Sequence, residues 1–279
     1  MIKHIKKKQK ISVLIPNFND SENLEKTIFS IVKQKLKPYE IVIVDDGSTD
    51  QSLEVMKKLK IKFGKIIKLK KNEKNIGIAN TLNQHLNNLN GDFFFLGSAN
   101  DEIPINFFHE IFNSFLINKD IKVIYGNIRM TRQNKNQIVK PLGFYETKVV
   151  SPTEYKNIFL KKNPLGFSLT PSAIYHKSVF KEYKFDSFLK SYQDTYMTNN
   201  ICLKYKSLYI NKTIAIWKFD ENSYSQKRKI INNIEIYLNF MIAAYKGKLI
   251  KYYGVNYILR WVFFYPFKFL NFLYKNFGE

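Results

Sequence analysis

The first hundred residues alternate between two hydrophobic periods, and that alternation constrains the fold more than any single residue does. Short apolar runs occur in "KISVLIPNFN", "YEIVIVDDGSTD", "GKIIKLKKNE" and "DFFFLGSAND", and segments with helical spacing lie between them. In "SENLEKTIFSIVKQ", Leu24, Ile28, Ile31 and Val32 share one helical face, with Ser21 and Asn23 as expected polar caps. "SLEVMKKLK" and "IANTLNQHLNNL", the latter opened by Gly77, also read as helices. Strands and helices in this order predict an α/β fold with a mostly parallel sheet and helices on both faces. Past about residue 104 the regularity fades. There "NFFHEIFNSFLIN" predicts a helix, "KVIYGNIRM" a strand, "DTYMTNNICLKYK" a helix and "KSLYINKTIAIWKFD" one or two strands. The span 131–171 reads as loop, broken by Pro141, Pro152 and Pro164.

Composition removes some classes of function. One cysteine, Cys202, excludes disulfides and cysteine-built zinc sites and fits a reducing cytoplasm; the residue reads as helix-face core. The basic start "MIKHIKKKQK" lacks the apolar stretch of a secretion signal. A net charge of +22 favours polyanionic partners: nucleic acid, an anionic membrane, or a nucleotide substrate. No nucleic-acid-binding module pattern is visible, so nucleic acid is not expected. Neither Gly-x-Gly-x-x-Gly nor a P-loop occurs, which excludes a dinucleotide fingerprint and a P-loop ATPase. His4, His85, His109 and His176 form no zinc pattern and read as structural, and Arg129 and Arg132 as solvated.

Three polar turns fall at the carboxyl ends of the expected strands: "PNFND", "DDGSTD" and "GSAND". Open parallel sheets take ligands at that edge. Two adjacent carboxylates, Asp45 and Asp46, are too polar to end a buried strand without a purpose. One can accept a nucleobase N–H, while Gly47 and Ser48 let backbone approach. The simpler alternative is an acidic turn in which Ser48 or Asp50 caps the next helix.

"ISVLIPNFNDSENLEKTIFSIVKQ", "YEIVIVDDGSTDQS", "NIGIANTLN" and "DFFFLGSANDEI" resemble, in order, four blocks of the family-2 glycosyltransferases with the GT-A fold. "SAIYHKSVFKEYKFDSFLKSYQDTYM" resembles the family's acceptor-side block. The resemblance covers residues 10–225 and implies inverting transfer from a nucleotide-diphosphate sugar, most often UDP-linked. Carried onto this chain, it puts Pro16 and Asn19 along the nucleotide cleft, Asp46 on the uracil ring with Asp45 supporting it, and Asn75 and Gly77 along the nucleotide. Asp194 falls on the family's general base. An inverting displacement needs such a carboxylate. Ser191 and Asp194 also have capping-box spacing, a structural role compatible with the catalytic one.

The family's Asp-x-Asp positions fall on Ser98 and Asn100, with Asp101 next to them. Mn²⁺ and Mg²⁺ prefer hard oxygens. Three readings follow: metal binding weakened to Asn100 and Asp101, metal-free transfer assisted by Lys or Arg, or an inactive nucleotide-sugar-binding scaffold. Residues 1–9 read as a basic arm, 10–126 as the nucleotide-sugar half, 127–225 as the acceptor half and 226–279 as an amphipathic helical tail. In that tail, aromatic residues interleave with Lys and Arg, which suits an anionic membrane surface, although packing on the domain or against another copy is the plainer alternative. The expected setting is the cytoplasmic face of a membrane, with a growing surface glycan or a glycolipid as acceptor.

Overall fold

The computed structural model describes residues 9–99, 102–114, 120–132, 135–162, 172–218 and 239. β1 (Ile11–Asn17), β2 (Glu40–Asp45), β3 (Ile67–Lys71) and β4 (Phe93–Leu96) pair in parallel in the order β3-β2-β1-β4. α1 (Ser21–Val32), α2 (Ser52–Phe63) and α3 (Ile78–Leu86) make the crossovers. α4 (Phe107–Ser114) then leads into the second half. That half holds β5 (Val123–Arg132), β6 (Lys135–Val139), β7 (Lys148–Val150), α5 (Pro152–Lys162), β8 (Ile174–His176), α6 (Gln193–Lys204) and β9 (Ser207–Lys218). The sheet continues past β4 as β8-β5-β9-β7, with β6 on β5. β8 is antiparallel to both its neighbours, whereas β5 and β9 are parallel.

β1, β2 and β4 are largely apolar because helices cover them on both sides, whereas β3, at the sheet edge, exposes Lys68, Lys70 and Lys71. Ile11, Val13, Ile15, Ile41 and Ile43 pack against Leu24 and Ile28 of α1, Met56 of α2 and Phe107 and Phe108 of α4. On the opposite face Leu14, Val42 and Val44 meet Ala79, Leu82 and Leu86 of α3, in a core that extends to Tyr155 of α5 and Met197 of α6. Each Val, Leu, Ile, Met or Phe among them contributes about 1.5–3 kcal/mol on burial. The far end of the sheet is held by Glu40, which is buried and accepts from the Ser12 hydroxyl at 2.6 Å, Asn90 N–H at 2.6 Å and Lys68 Nζ at 2.6 Å.

Several expectations need correction. Ser21 and Asn23 do not cap α1. Asp20 stands at its N-cap without a capping bond, Asn23 Nδ2 donates to Asp20 at 2.7 Å, and Ser21 N–H is taken by Asp50 of the next turn at 3.1 Å. The loop expected over 131–171 contains β6, β7 and α5. Pro152 reads as a breaker but opens α5, where its missing N–H costs nothing. "KSLYINKTIAIWKFD" forms the single strand β9, with its register against β5 shifting around Asn127. The basic arm to residue 8, residues 219–225 and the tail lie outside the described residues, apart from Asn239, which is buried and donates its side-chain amide to Phe188 O. Among the described residues no helix is long and apolar enough to cross a membrane.

Candidate nucleotide and acceptor site

β1 lies between β2 and β4, so the chain reverses its direction of travel across the sheet there, and the crevice outside these strand ends is where such folds take ligands. Asn17 and Asp45 are register partners at the last positions of β1 and β2, and Gly97 N–H, just past β4, donates to Leu14 O at 3.1 Å. Pro16 is buried within β1 opposite Val44.

The first two turns form one hydrogen-bonded unit. Asn19, at φ 51°, accepts Thr49 N–H at Oδ1 at 2.8 Å, and its own N–H donates to Ser48 Oγ at 3.0 Å. Asp45 is fully buried, and its Oδ2 accepts Ser48 N–H at 3.2 Å. Asp50 serves two helices, with Oδ2 on Ser21 N–H at 3.1 Å and Oδ1 on Ser52 N–H at 2.9 Å. Negative charge at two helix starts is favourable. Burial alone would raise the Asp50 pKa, but the bonds from Ser52 and Ser21 outweigh it and leave the carboxyl below its ordinary value. The capping role considered for Asp50 is therefore real.

Asp46 joins this unit to the segment before α3. It is 3% exposed, its Oδ1 accepts from Asn72 Nδ2 at 2.8 Å and Ile76 N–H at 3.1 Å, and its Oδ2 accepts from Gly77 N–H at 3.0 Å. A carboxylate has about four acceptor positions, so about one remains, on Oδ2. Gly47 has φ 76°, and a Cβ there would stand 2.6 Å from Asn75 N and 2.7 Å from Lys74 C. Asn75 is exposed, and its Oδ1 accepts Gly77 N–H at 2.9 Å. Gly77, at φ 82°, is the N-cap of α3, the opening position expected for it.

At the third turn Ser98 is half-buried, and Thr27 of α1 donates its hydroxyl to Ala99 O at 2.6 Å. Asn100 and Asp101 lie outside the described residues. Among the described residues no group of three or more His, Cys, Asp or Glu could hold a metal.

α3 connects this edge to the segment that leads into α6. Asn83 Nδ2 donates to Phe185 O at 2.8 Å, and Phe185 N–H donates to Asn83 Oδ1 at 2.9 Å. A 3₁₀ turn follows at Ser187–Tyr192, kinked at Lys190 (φ 49°), and leads into α6. Asp194 sits half-buried in the first turn of α6, with Oδ1 accepting Thr195 N–H at 2.5 Å and its carbonyl accepting the Thr198 hydroxyl at 2.8 Å. Thr198 has then used its proton, so the Tyr175 hydroxyl, 2.6 Å away on β8, donates to it. Burial above all pushes the Tyr175 pKa up and keeps that hydroxyl a donor.

Comparison with known proteins decides the family. The sequence profile of "Glycosyl transferase family 2" matches residues 12–184. The chain belongs to this family. It is 24% identical over 223 residues to glycosyltransferase GlyA of Streptococcus pneumoniae, a match covering 78% of this chain and 32% of GlyA. This family-2 chain thus spans about a third of that relative. Staphylococcus aureus TarS 1–349 in complex with UDP-GlcNAc has the same fold, with TM-score 0.63 and 18% identity over 87% of this chain and 73% of TarS. So does a mannosyltransferase of Pyrobaculum calidifontis in complex with GDP-Man and Mn²⁺, with TM-score 0.59 and 16% identity over 86% of this chain and 65% of that one. The family-2 chain therefore has the GT-A fold expected from its sequence.

Sequence reasoning missed several residues that build the site. Asn72 and Asn83 look like solvated amides, and nothing near Tyr175 or Thr198 announces that they meet across 23 residues. His85, read as structural, is buried and 3.2 Å from Asn72 Oδ1. His176 caps a 3₁₀ turn through Ser178 N–H, as a structural residue would, and Arg129 is exposed. Cys202 is buried core, as expected.

Proposed function

We propose that this protein is an inverting glycosyltransferase that moves a sugar from a UDP-sugar to a hydroxyl of a growing surface glycan or lipid-linked acceptor. The observation that carries this reading is the single remaining acceptor position on Asp46, a buried carboxylate fixed at the ligand-binding edge of a family-2 fold. That position takes the N3–H of uracil, and Asp45 supports the turn beneath it. Asn19, Pro16, Asn75 and Gly77 shape the nucleotide cleft, and the diphosphate runs toward Ser98. Residues 10–126 form the donor half, and 127–225 the acceptor half.

Asp194 is the general base. It takes the proton from the acceptor hydroxyl as that oxygen bonds to the anomeric carbon, and the sugar–phosphate bond breaks with its electron pair leaving on UDP. The Tyr175–Thr198 chain fixes the first turn of α6 and so holds the carboxylate in place. Asn100 and Asp101 would hold Mn²⁺ or Mg²⁺. One carboxylate with neutral oxygens is at the lower end of what such ions accept beside phosphates, and the ion would neutralise charge on the leaving diphosphate. The charge of +22 and the basic aromatic tail support an acceptor at an anionic membrane surface on its cytoplasmic face.

The test is transfer and hydrolysis across a UDP-sugar panel, with and without Mn²⁺ and Mg²⁺, for wild type and Asp194→Asn. The variant should bind UDP as wild type does and lose about 10²–10⁴-fold of acceptor-dependent transfer. Binding without turnover, glycolipid acceptors included, would leave the donor-binding scaffold that Ser98 at the Asp-x-Asp position favours.

A further inference from the structure

Beneath Asp46 lies a polar cluster with no part in the chemistry above. Asn72 follows β3, is 5% exposed, and donates its backbone N–H to Asp45 O at 2.8 Å. Every position of its side-chain amide is engaged. Nδ2 donates to Asp46 Oδ1 at 2.8 Å and to Thr81 Oγ1 at 2.9 Å. Oδ1 accepts from Gln84 Nε2 at 3.3 Å and lies 3.2 Å from His85 Nε2. An amide oxygen only accepts, so His85 carries its proton on Nε2, and Nδ1 faces Asn88 Nδ2 at 3.5 Å as an acceptor. Thr81 and His85 are four residues apart on α3 and therefore reach Asn72 from the same helix face.

The arrangement decides which way the Asn72 amide points. Reversed, its oxygen would face the Asp46 carboxylate and its nitrogen the His85 donor, so acceptor would meet acceptor and donor would meet donor. The Asp46 carboxylate, which only accepts, sets the amide this way round, and the His85 N–H engages the oxygen this leaves on the far side. Burial, and then Lys70 of β3, lower the His85 pKa and so favour the neutral ring, with Asp46, just past β2, opposing them. We propose that His85 is a positioning residue for donor recognition: acting through Asn72, it holds the Asp46 carboxylate so that its remaining acceptor position meets the N3–H of the uracil base. This rests on the reading of Asp46 given under Proposed function.

The experiment measures UDP and N3-methyl-UDP affinity for wild type, His85→Leu and His85→Gln by titration calorimetry. Wild type should prefer UDP, because the methyl group removes the hydrogen that Asp46 accepts. His85→Leu should bind UDP about five- to tenfold more weakly, the worth of about one hydrogen bond, and lose most of its preference over the methylated analogue. His85→Gln keeps an N–H donor and should restore both. A merely structural role would weaken both ligands alike and leave their ratio unchanged, which overturns the proposal. If His85→Leu does not fold, ¹⁵N-histidine spectra of wild type decide. The neutral Nε2–H form of His85 should shift on adding UDP and not on adding N3-methyl-UDP, and equal shifts overturn the proposal. Wild type that binds UDP and its methylated analogue equally would refute the Asp46 reading itself, whereas a preference retained by His85→Leu refutes only the role of His85.

Discussion

Replacing Gly47 by alanine tests whether the turn after β2 is as constrained as its geometry implies. Two costs combine there. The positive φ of 76° disfavours any L side chain by about 1–2 kcal/mol. The new Cβ would then stand 2.6 Å from Asn75 N, 2.7 Å from Lys74 C and 2.9 Å from Lys74 Cα, all backbone atoms. That backbone has little room to retreat, because Ile76 and Gly77 N–H are held by Asp46 at 3.1 and 3.0 Å. Overpacking of this kind costs about 1–3 kcal/mol, so the sum is about 2–5 kcal/mol. Gly64→Ala is the matched control. Gly64 has φ 63°, but a Cβ there meets nothing within 4 Å, so it bears the backbone cost alone, without the overpacking. Urea denaturation of both variants beside wild type gives the two losses, and UDP titration shows whether the Asp46 lock has opened. Gly47→Ala should lose more stability than Gly64→Ala and should alone lose UDP affinity. Equal losses, with UDP binding intact in both, would refute the reasoning.

Glu40 should make stability acid-sensitive. Burial alone would raise its pKa, but Lys68, Ser12 and Asn90 outweigh burial and hold it below the ordinary value. Its contribution is then complete above the unfolded value of about 4.3 and is lost as pH falls through the lower folded one, so the urea-measured gap between wild type and Glu40→Gln should narrow below about pH 4. A gap unchanged down to pH 3 would contradict this. Tyr175→Phe removes one buried donor while Thr198 keeps its bond to Asp194 O. It should cost about 1 kcal/mol of stability and reduce transfer less than Asp194→Asn does, and a larger kinetic effect would give the hydroxyl a direct role. Cys202, buried and with its thiol pushed up to about 12 by burial, should react with a disulfide reagent only in denaturant. Labelling of the native protein within minutes would show that the α6 face opens.

What the sequence revealed was the part whose physics is local. β1, β2 and β4 are covered on both sides, so they read as unbroken apolar runs, and the apolar stripes of α1 and α3 follow from one buried face each. Gly47 and Gly77 were legible because a glycine after a strand or before a helix usually marks unusual backbone. The rest depends on partners far apart in the chain. Asp50 receives Ser21 across 29 residues, and nothing near Ser21 announces it. Asn72, Thr81 and His85 sit in a segment rich in Asn and Gln that looks solvated until α3 turns it onto Asp46. β8 is three residues long, too short to show any period, and α5 was hidden by its own opening proline.

The reciprocal bond between Asn83 and Phe185 also bears on how the chain acquires its shape. It joins residues 102 apart, and the loop it closes takes in every strand from β4 to β8 together with α4 and α5. The entropic cost of such closure must be met before the contact returns anything. The four parallel strands all end by Leu96 and emerge before the segment leading to Asp194, so they can assemble while that segment is still unattached. The docking of Phe185 on α3 is then a late event. A partly folded chain would already have its nucleotide turn, and would gain the carboxylate assigned to proton transfer only when that last clasp closes.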